Sequence, residues 1–209
     1  VKLWTSLKRL LIAAAAVLSL QCSHTSPRLT SGSSGRFAER THRTVYVDTN
    51  FRDDELKIIE ESAQEWNSQT QGIARIVVVR LFSSPATSPE SIKFSSTPDD
   101  IFLVKEESTS IDIVFQDYAS NSMMYGLYQT TPLFSRIILV TDRFMTWEEY
   151  RTVVTHELGH ALGLGHNNIK FTVMYRDHAS VGNHITRDDL EQFCEIYRCA
   201  AEELLSDAK

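Results

Sequence analysis

The chain has no excess of positive charge. Its 21 lysines and arginines are outnumbered by 27 aspartates and glutamates, for a formal net charge of −6, so it lacks the basic footprint of a nucleic-acid partner. No apolar run reaches the roughly 18 residues that a membrane-spanning helix needs. Cysteine is scarce too, with three in 209 residues. One of them, Cys22, closes an N-terminal apolar run; the other two, Cys194 and Cys199, either bond to each other or stand as separate buried thiols. What is present, 42% hydrophobic residues in a chain of this length, suits one globular domain with a proper core.

The first 22 residues read apart from the rest. Lys2, Lys8 and Arg9 precede an apolar stretch from Leu10 to Leu20 that has no polar face, the pattern of a secretory signal and not of a core helix. No A-x-A cleavage site is visible. Cys22, directly after the run, resembles the lipidated cysteine of a bacterial lipoprotein signal, although Gln21 stands where a small residue is expected. Export is therefore expected, either tethered to the cell envelope through a lipidated Cys22 or freely secreted, and the resemblance implies a bacterial source. Residues 23–41 are rich in Ser, Thr, Gly and Arg without apolar period and read as a flexible tether. The globular domain is expected over 42–205.

Within that domain one stretch is organised for chemistry. His156-Glu157-Leu158-Gly159-His160-Ala161-Leu162-Gly163-Leu164-Gly165-His166 carries the spacing H-E-x-x-H-x-x-G-x-x-H. On a helix His156 and His160 point the same way and can grip one ion. Glu157 lies about 100° further round, able to reach a ligand of that ion without being one. Gly163 ends the helix, since glycine takes left-handed dihedrals at low cost, and His166 arrives from the turn beyond. Three neutral imidazoles leave a fourth position of a zinc ion for water, the arrangement of a catalytic and not a structural zinc. Five fixed residues of ordinary abundance fall into this spacing by chance in fewer than roughly one such chain in ten thousand.

The remaining segments supply a frame. Residues 43–48 alternate as a first strand, and Asp53-Asp54-Glu55 opens a helix whose stripe is Leu56, Ile59, Ala63 and Trp66. The β-branched run 73–82 reads as a buried strand. Residues 83–98 are loop; 101–104, 111–115 and 136–140 are strand-like, and 123–128 reads as an edge strand. Thr146 and Glu149 form a capping box that starts the histidine-bearing helix at Trp147, with Tyr150, Val154, Leu158 and Ala161 facing the core. Thr186 and Asp189 form a second box before a helix buried through Leu190, Phe193 and Tyr197. Bonding Cys194 to Cys199 requires that helix to end near Tyr197.

The stretch HELGHALGLGH resembles the metzincin metallopeptidases, and its form is most similar to the matrixin (matrix metalloproteinase) branch. Met174, eight residues after His166 and followed by Tyr175, matches the methionine turn that packs beneath the zinc ligands in that family. The resemblance covers about 41–198 and is specific over 146–197. It implies an α+β catalytic domain with a twisted, mostly parallel sheet, one catalytic zinc on His156, His160 and His166, Glu157 as general base, and a substrate strand pairing with the edge near 123–128. The chain departs from the family in three places. No histidine lies between Asp112 and Thr155, so the structural zinc of vertebrate matrixins is not expected, and Asp99, Asp100, Asp117 and Asp142 are the carboxylates that could serve a calcium. Arg176 replaces the proline that often follows the tyrosine. No pro-segment with a zinc-blocking cysteine is visible. Asp188 and Asp189 either complement the helix dipole or, as in the family, anchor the domain's N-terminus; His178 and His184 read as surface residues.

The resemblance thus implies a zinc endopeptidase acting as a monomer on protein or peptide substrates. A zinc-bearing surface adhesion module without proteolysis is the competing class, against which the intact Glu157 argues.

Overall fold

A computed structural model describes residues 40–81, 99–107, 125–130, 135–144, 146–176 and 182–206. Strand β1 (Thr41–Val47) leads into helix α1 (Asp53–Gln69), β2 (Ala74–Arg80) and β3 (Asp100–Glu106). Then come β4 (Gly126–Thr130), β5 (Ser135–Val140), a 3-10 turn at Thr141–Arg143, α2 (Trp147–Ala161), α3 (Arg187–Tyr197) and the short α4 (Ala201–Ser206). The sheet order is β2-β1-β3-β5-β4, parallel throughout except that β4 runs antiparallel to β5. This is the mostly parallel α+β sheet that the resemblance implies.

Alternation divides the sheet into two faces. Val45, Val47, Ile101, Leu103, Ile137 and Leu139 point to one side and join the helices in a single core. Ile138 and Val140 make a small second cluster with Val104 and Leu127. In α1, Ile59, Ala63 and Trp66 are buried as the stripe predicts, and Leu56 is partly buried against them. Glu55 reaches back to the backbone N–H of Arg52 at 2.7 Å and pairs with Lys105 of β3, which pins the helix start to the sheet. Trp66 is fully buried and its indole N–H donates to the carbonyl of Thr155 at 2.9 Å, joining α1 to α2. A side chain of this size contributes about 1.5–3 kcal/mol by burial alone.

Two expectations need correction. The run 73–82 is not a buried strand: β2 lies at the sheet edge, only Ala74 and Ile76 are buried, and Val79 is 36% exposed. With β1 as its sole neighbour among the described residues, β2 is buried near its start and exposed towards its end. The edge near 123–128 is present over Gly126–Thr130 and runs two residues further than expected, with residues 123 and 124 outside the described residues. Of the segments read as signal and tether (1–41), residues 1–39 lie outside the described residues, as do the loop 83–98, the strand 111–115, Asp117 and His178, and Thr41 already belongs to β1.

Candidate metal centre

Helix α2 is built from local rules. Thr146 accepts from the backbone N–H of Glu149 at 3.1 Å, and the Glu149 carboxylate accepts from the N–H of Thr146 at 3.0 Å. Tyr150, Val154, Leu158 and Ala161 face the core. At its other end the N–H of Leu164 reaches the carbonyl of Gly159 (3.1 Å) and that of Gly163 the carbonyl of His160 (2.8 Å), the paired bonds of a Schellman stop. Gly163 takes φ +90°, where a side chain would be strained. Two further carbonyls at this end are met from afar: Arg43 Nε donates to Ala161 (3.0 Å) and the Tyr197 hydroxyl to Leu162 (2.8 Å).

That stop turns the chain so that His166 faces His156 and His160. The Nε2 atom of His166 lies 3.1 Å from that of His156 and 3.2 Å from that of His160. Nδ1 of His156 meets the carbonyl of Val173 at 2.6 Å, and Nδ1 of His160 that of Leu164 at 2.8 Å. A carbonyl only accepts, so each Nδ1 carries the proton and each Nε2 presents a lone pair. His166 Nε2 faces both lone pairs, and a cation can lie among the three nitrogens once it too presents one. Tetrahedral zinc with bonds of about 2.0–2.1 Å places its nitrogens about 3.3 Å apart, and the observed spacings fit that ion. Among the described residues this is the one cluster of three or more His, Cys, Asp or Glu side chains able to hold a metal.

The electrostatics agree with a neutral donor set. Burial lowers His160 to about 4, outweighing the carbonyl of Leu164, with His166 adding to the fall. His166 is lowered too, by burial first and then by the charge of Arg176. Glu157 is 5% exposed, and burial raises its carboxyl to about 8 against the pull of the Tyr128 backbone N–H on β4. Its Oε2 is buried and has no protein partner. A dication nearby draws such a value down again.

The other candidates fall as follows. Met174 is fully buried, and a Cβ placed on Gly159 would lie 2.4 Å from its sulfur, so the methionine packs directly beneath the turn of α2 between His156 and His160. Asp189 is fully buried: its carboxylate accepts from the N–H groups of Val173 (3.0 Å), Met174 (3.0 Å) and Thr186 (2.9 Å). Its charge is thus used on the methionine turn and on its own helix start. His184 is exposed beside Glu65, away from the triad. Asp99 pairs with Arg43, and no calcium cage forms from Asp99, Asp100 or Asp142.

Sequence reasoning missed two contributors. Gly126 opens β4 where a Cβ would come within 2.6 Å of Glu157 Oε1, so only glycine lets the edge strand lie against that carboxylate; an isolated glycine in a strand is the available signal. Gln192, from α3, donates to the carbonyl of Gly165 at 2.9 Å, and nothing in its local sequence announces that.

Comparison with known proteins decides the family. The matrixin profile matches residues 61–198. The chain belongs to the matrixin family. Membership brings zinc metallopeptidase function at the level of the family. The fold is similar to archaemetzincin from Methanopyrus kandleri, at 15% identity and TM-score 0.51 over 77% of this chain and 97% of that one. Weaker likenesses are to metalloproteinase-II from Bacteroides fragilis, at 11% identity and TM-score 0.47 over 80% of this chain and 56% of that one. A third is to high choriolytic enzyme 1, a hatching enzyme zinc-protease from the medaka fish Oryzias latipes, at 16% identity and TM-score 0.45 over 82% and 99%. No curated protein matches the chain by sequence.

Proposed function

We propose that this matrixin is a zinc endopeptidase in which His156, His160 and His166 hold the ion and Glu157 is the general base. The observation that carries the reading is the pairing of three converging Nε2 atoms with a buried, unpartnered carboxylate oxygen one residue along the helix. Zinc bound there would lower the pKa of a water to about 7 and polarise a peptide carbonyl. Glu157 Oε2 takes a proton from the attacking water and delivers it to the amide nitrogen, a poor leaving group until protonated. The carboxylate is fixed for this task between Val153, Gly126 and the backbone of Tyr128. Among the described residues β4 pairs with β5 alone, which leaves its other edge for an extended substrate to add as a strand just beside Glu157.

A binding module has no use for such a carboxyl. Burying its Oε2 without a partner costs on the order of 1–3 kcal/mol, which a purely adhesive surface gains nothing by keeping. We further propose that the domain is exported and tethered through Cys22.

The test compares Glu157→Ala with His160→Ala on a casein or gelatin digest. The first should keep its zinc and lose activity by about 10²–10⁴-fold, the usual worth of a positioned base. The second should lose zinc and activity together. Wild-type cleavage that survives in Glu157→Ala refutes the base; absence of cleavage by zinc-loaded wild type refutes the peptidase.

A further inference from the structure

His156 and His160 are oriented twice, by the helix that carries them and by a carbonyl on each Nδ1. His166 has neither support. It lies beyond the helix stop, it is exposed, and no partner meets its Nδ1 among the described residues. Its position depends on the main chain on either side. After it, the N–H of Asn167 donates to the Met174 carbonyl at 2.9 Å, and Asn167 Oδ1 accepts from Ile169 N–H (3.0 Å) and Thr172 Oγ1 (2.8 Å). Before it comes Gly165, the residue type with the most backbone freedom to lose. The side-chain hydrogen bond made to that link is from Gln192 Nε2 to the Gly165 carbonyl, across 27 residues of sequence. Gln192 buries its other amide atom, Oε1, without a protein partner to make this contact.

We propose that Gln192 is a positioning residue for the third zinc ligand: by clamping the Gly165 carbonyl it holds the main chain from which His166 reaches the ion. The proposal rests on the reading of the triad as a zinc site. Gln192 has a firm base for this, because Asp189, three residues earlier on α3, is bonded to the methionine turn under the same site. Clamp and turn therefore move as one piece relative to α2.

The experiment measures zinc affinity by chelator competition, together with unfolding of the metal-free and zinc-loaded protein. Gln192→Glu keeps the volume and removes the donor; Gln192→Leu removes both amide atoms. Each should weaken zinc binding by about 10–100-fold, the usual effect of an outer partner of a ligand, and should change the visible spectrum of the cobalt-substituted protein. The metal-free Tm should fall by no more than about 2–4 °C, as for one lost hydrogen bond in a domain of this size. A second substitution, Gly165→Ala, stiffens the link in another way: its Cβ meets nothing nearer than Gln192 Nε2 at 3.8 Å. It should restore part of the affinity lost in Gln192→Leu. A purely structural glutamine would instead lower both Tm values equally and leave the affinity unchanged, which overturns the proposal. Wild type that binds no zinc at all overturns the triad itself, a different failure.

Discussion

Gly159→Ala sets a general rule against a specific contact. In the interior of an exposed helix, alanine is favoured over glycine by about 1 kcal/mol, and propensity alone predicts a stabilised protein. The structure predicts the reverse. The added Cβ would lie 2.4 Å from Met174 Sδ, 3.3 Å from Met174 Cε and 3.1 Å from Trp66 Cζ2, whereas comfortable contacts between such atoms begin near 3.5 Å. Trp66 cannot readily yield, being fully buried and bonded to the Thr155 carbonyl. Met174 must therefore move by about an ångström, and its own N–H is held by Asp189. Overpacking of this kind costs about 1–3 kcal/mol. Subtracting the helix gain leaves a net loss of about 1 kcal/mol, or a Tm lower by about 2–4 °C. Thermal unfolding of the zinc-free domain reads this directly. The cause is separable by a cycle with Met174→Ala, which alone should cost about 2–5 kcal/mol through its cavity. The double variant should cost less than the sum by at least about 0.5 kcal/mol, because the new methyl then enters space the sulfur has left. A rise in Tm for Gly159→Ala, or strict additivity in the cycle, refutes the claim that the methionine is seated under α2.

Two other perturbations test the frame and the leader. Asp189→Ala leaves the buried N–H groups of Val173 and Met174 without an acceptor and removes a helix cap; at about 1–3 kcal/mol per orphaned group, a loss of about 3–5 kcal/mol in denaturant unfolding is expected, and a loss under about 1 kcal/mol would falsify the anchoring role. Cys22→Ala should move the protein from the membrane fraction to the soluble fraction of its cell; equal solubility of the two proteins refutes the lipid tether and leaves plain secretion.

The parts of the site that follow local rules were legible in the sequence. The i, i+4 histidines, the Thr146 capping box, the Gly163 stop and the Leu158 face all depend on residues within a few positions of one another, and each appears where the pattern puts it. The run 73–82 was misread because burial of a β-branched strand depends on its neighbours, and strand order is not written in the strand. The environment of Glu157 was invisible for the same reason: its proton affinity is raised by burial, to which β4, some thirty residues away in sequence, contributes by its close approach at Gly126, while the Tyr128 backbone N–H of the same strand pulls the other way. Asp189 shows both cases at once. Its bond to Thr186 is a local cap and was read as one, while its bonds to Val173 and Met174 connect α3 to a loop and were not.

The two histidines of α2 are steered by main-chain carbonyls, of Val173 and Leu164, and a carbonyl is present whatever residue occupies the position. Substituting Val173 or Leu164 therefore does not remove the acceptor; displacing their backbone does. That backbone is held from one side of α3, roughly 140° wide, where Asp189 binds the N–H groups of Val173 and Met174, Gln192 binds Gly165, and Tyr197 binds Leu162. The Cys194–Cys199 disulfide closes the end of the same helix, which stops at Tyr197 with Arg198 left-handed at φ 58°. The chemistry thus belongs to α2 and its placement to α3, more than twenty residues later. Metal affinity in this domain should be more sensitive to polar changes on α3 than to apolar exchanges between the three histidines, although no α3 residue belongs to the triad.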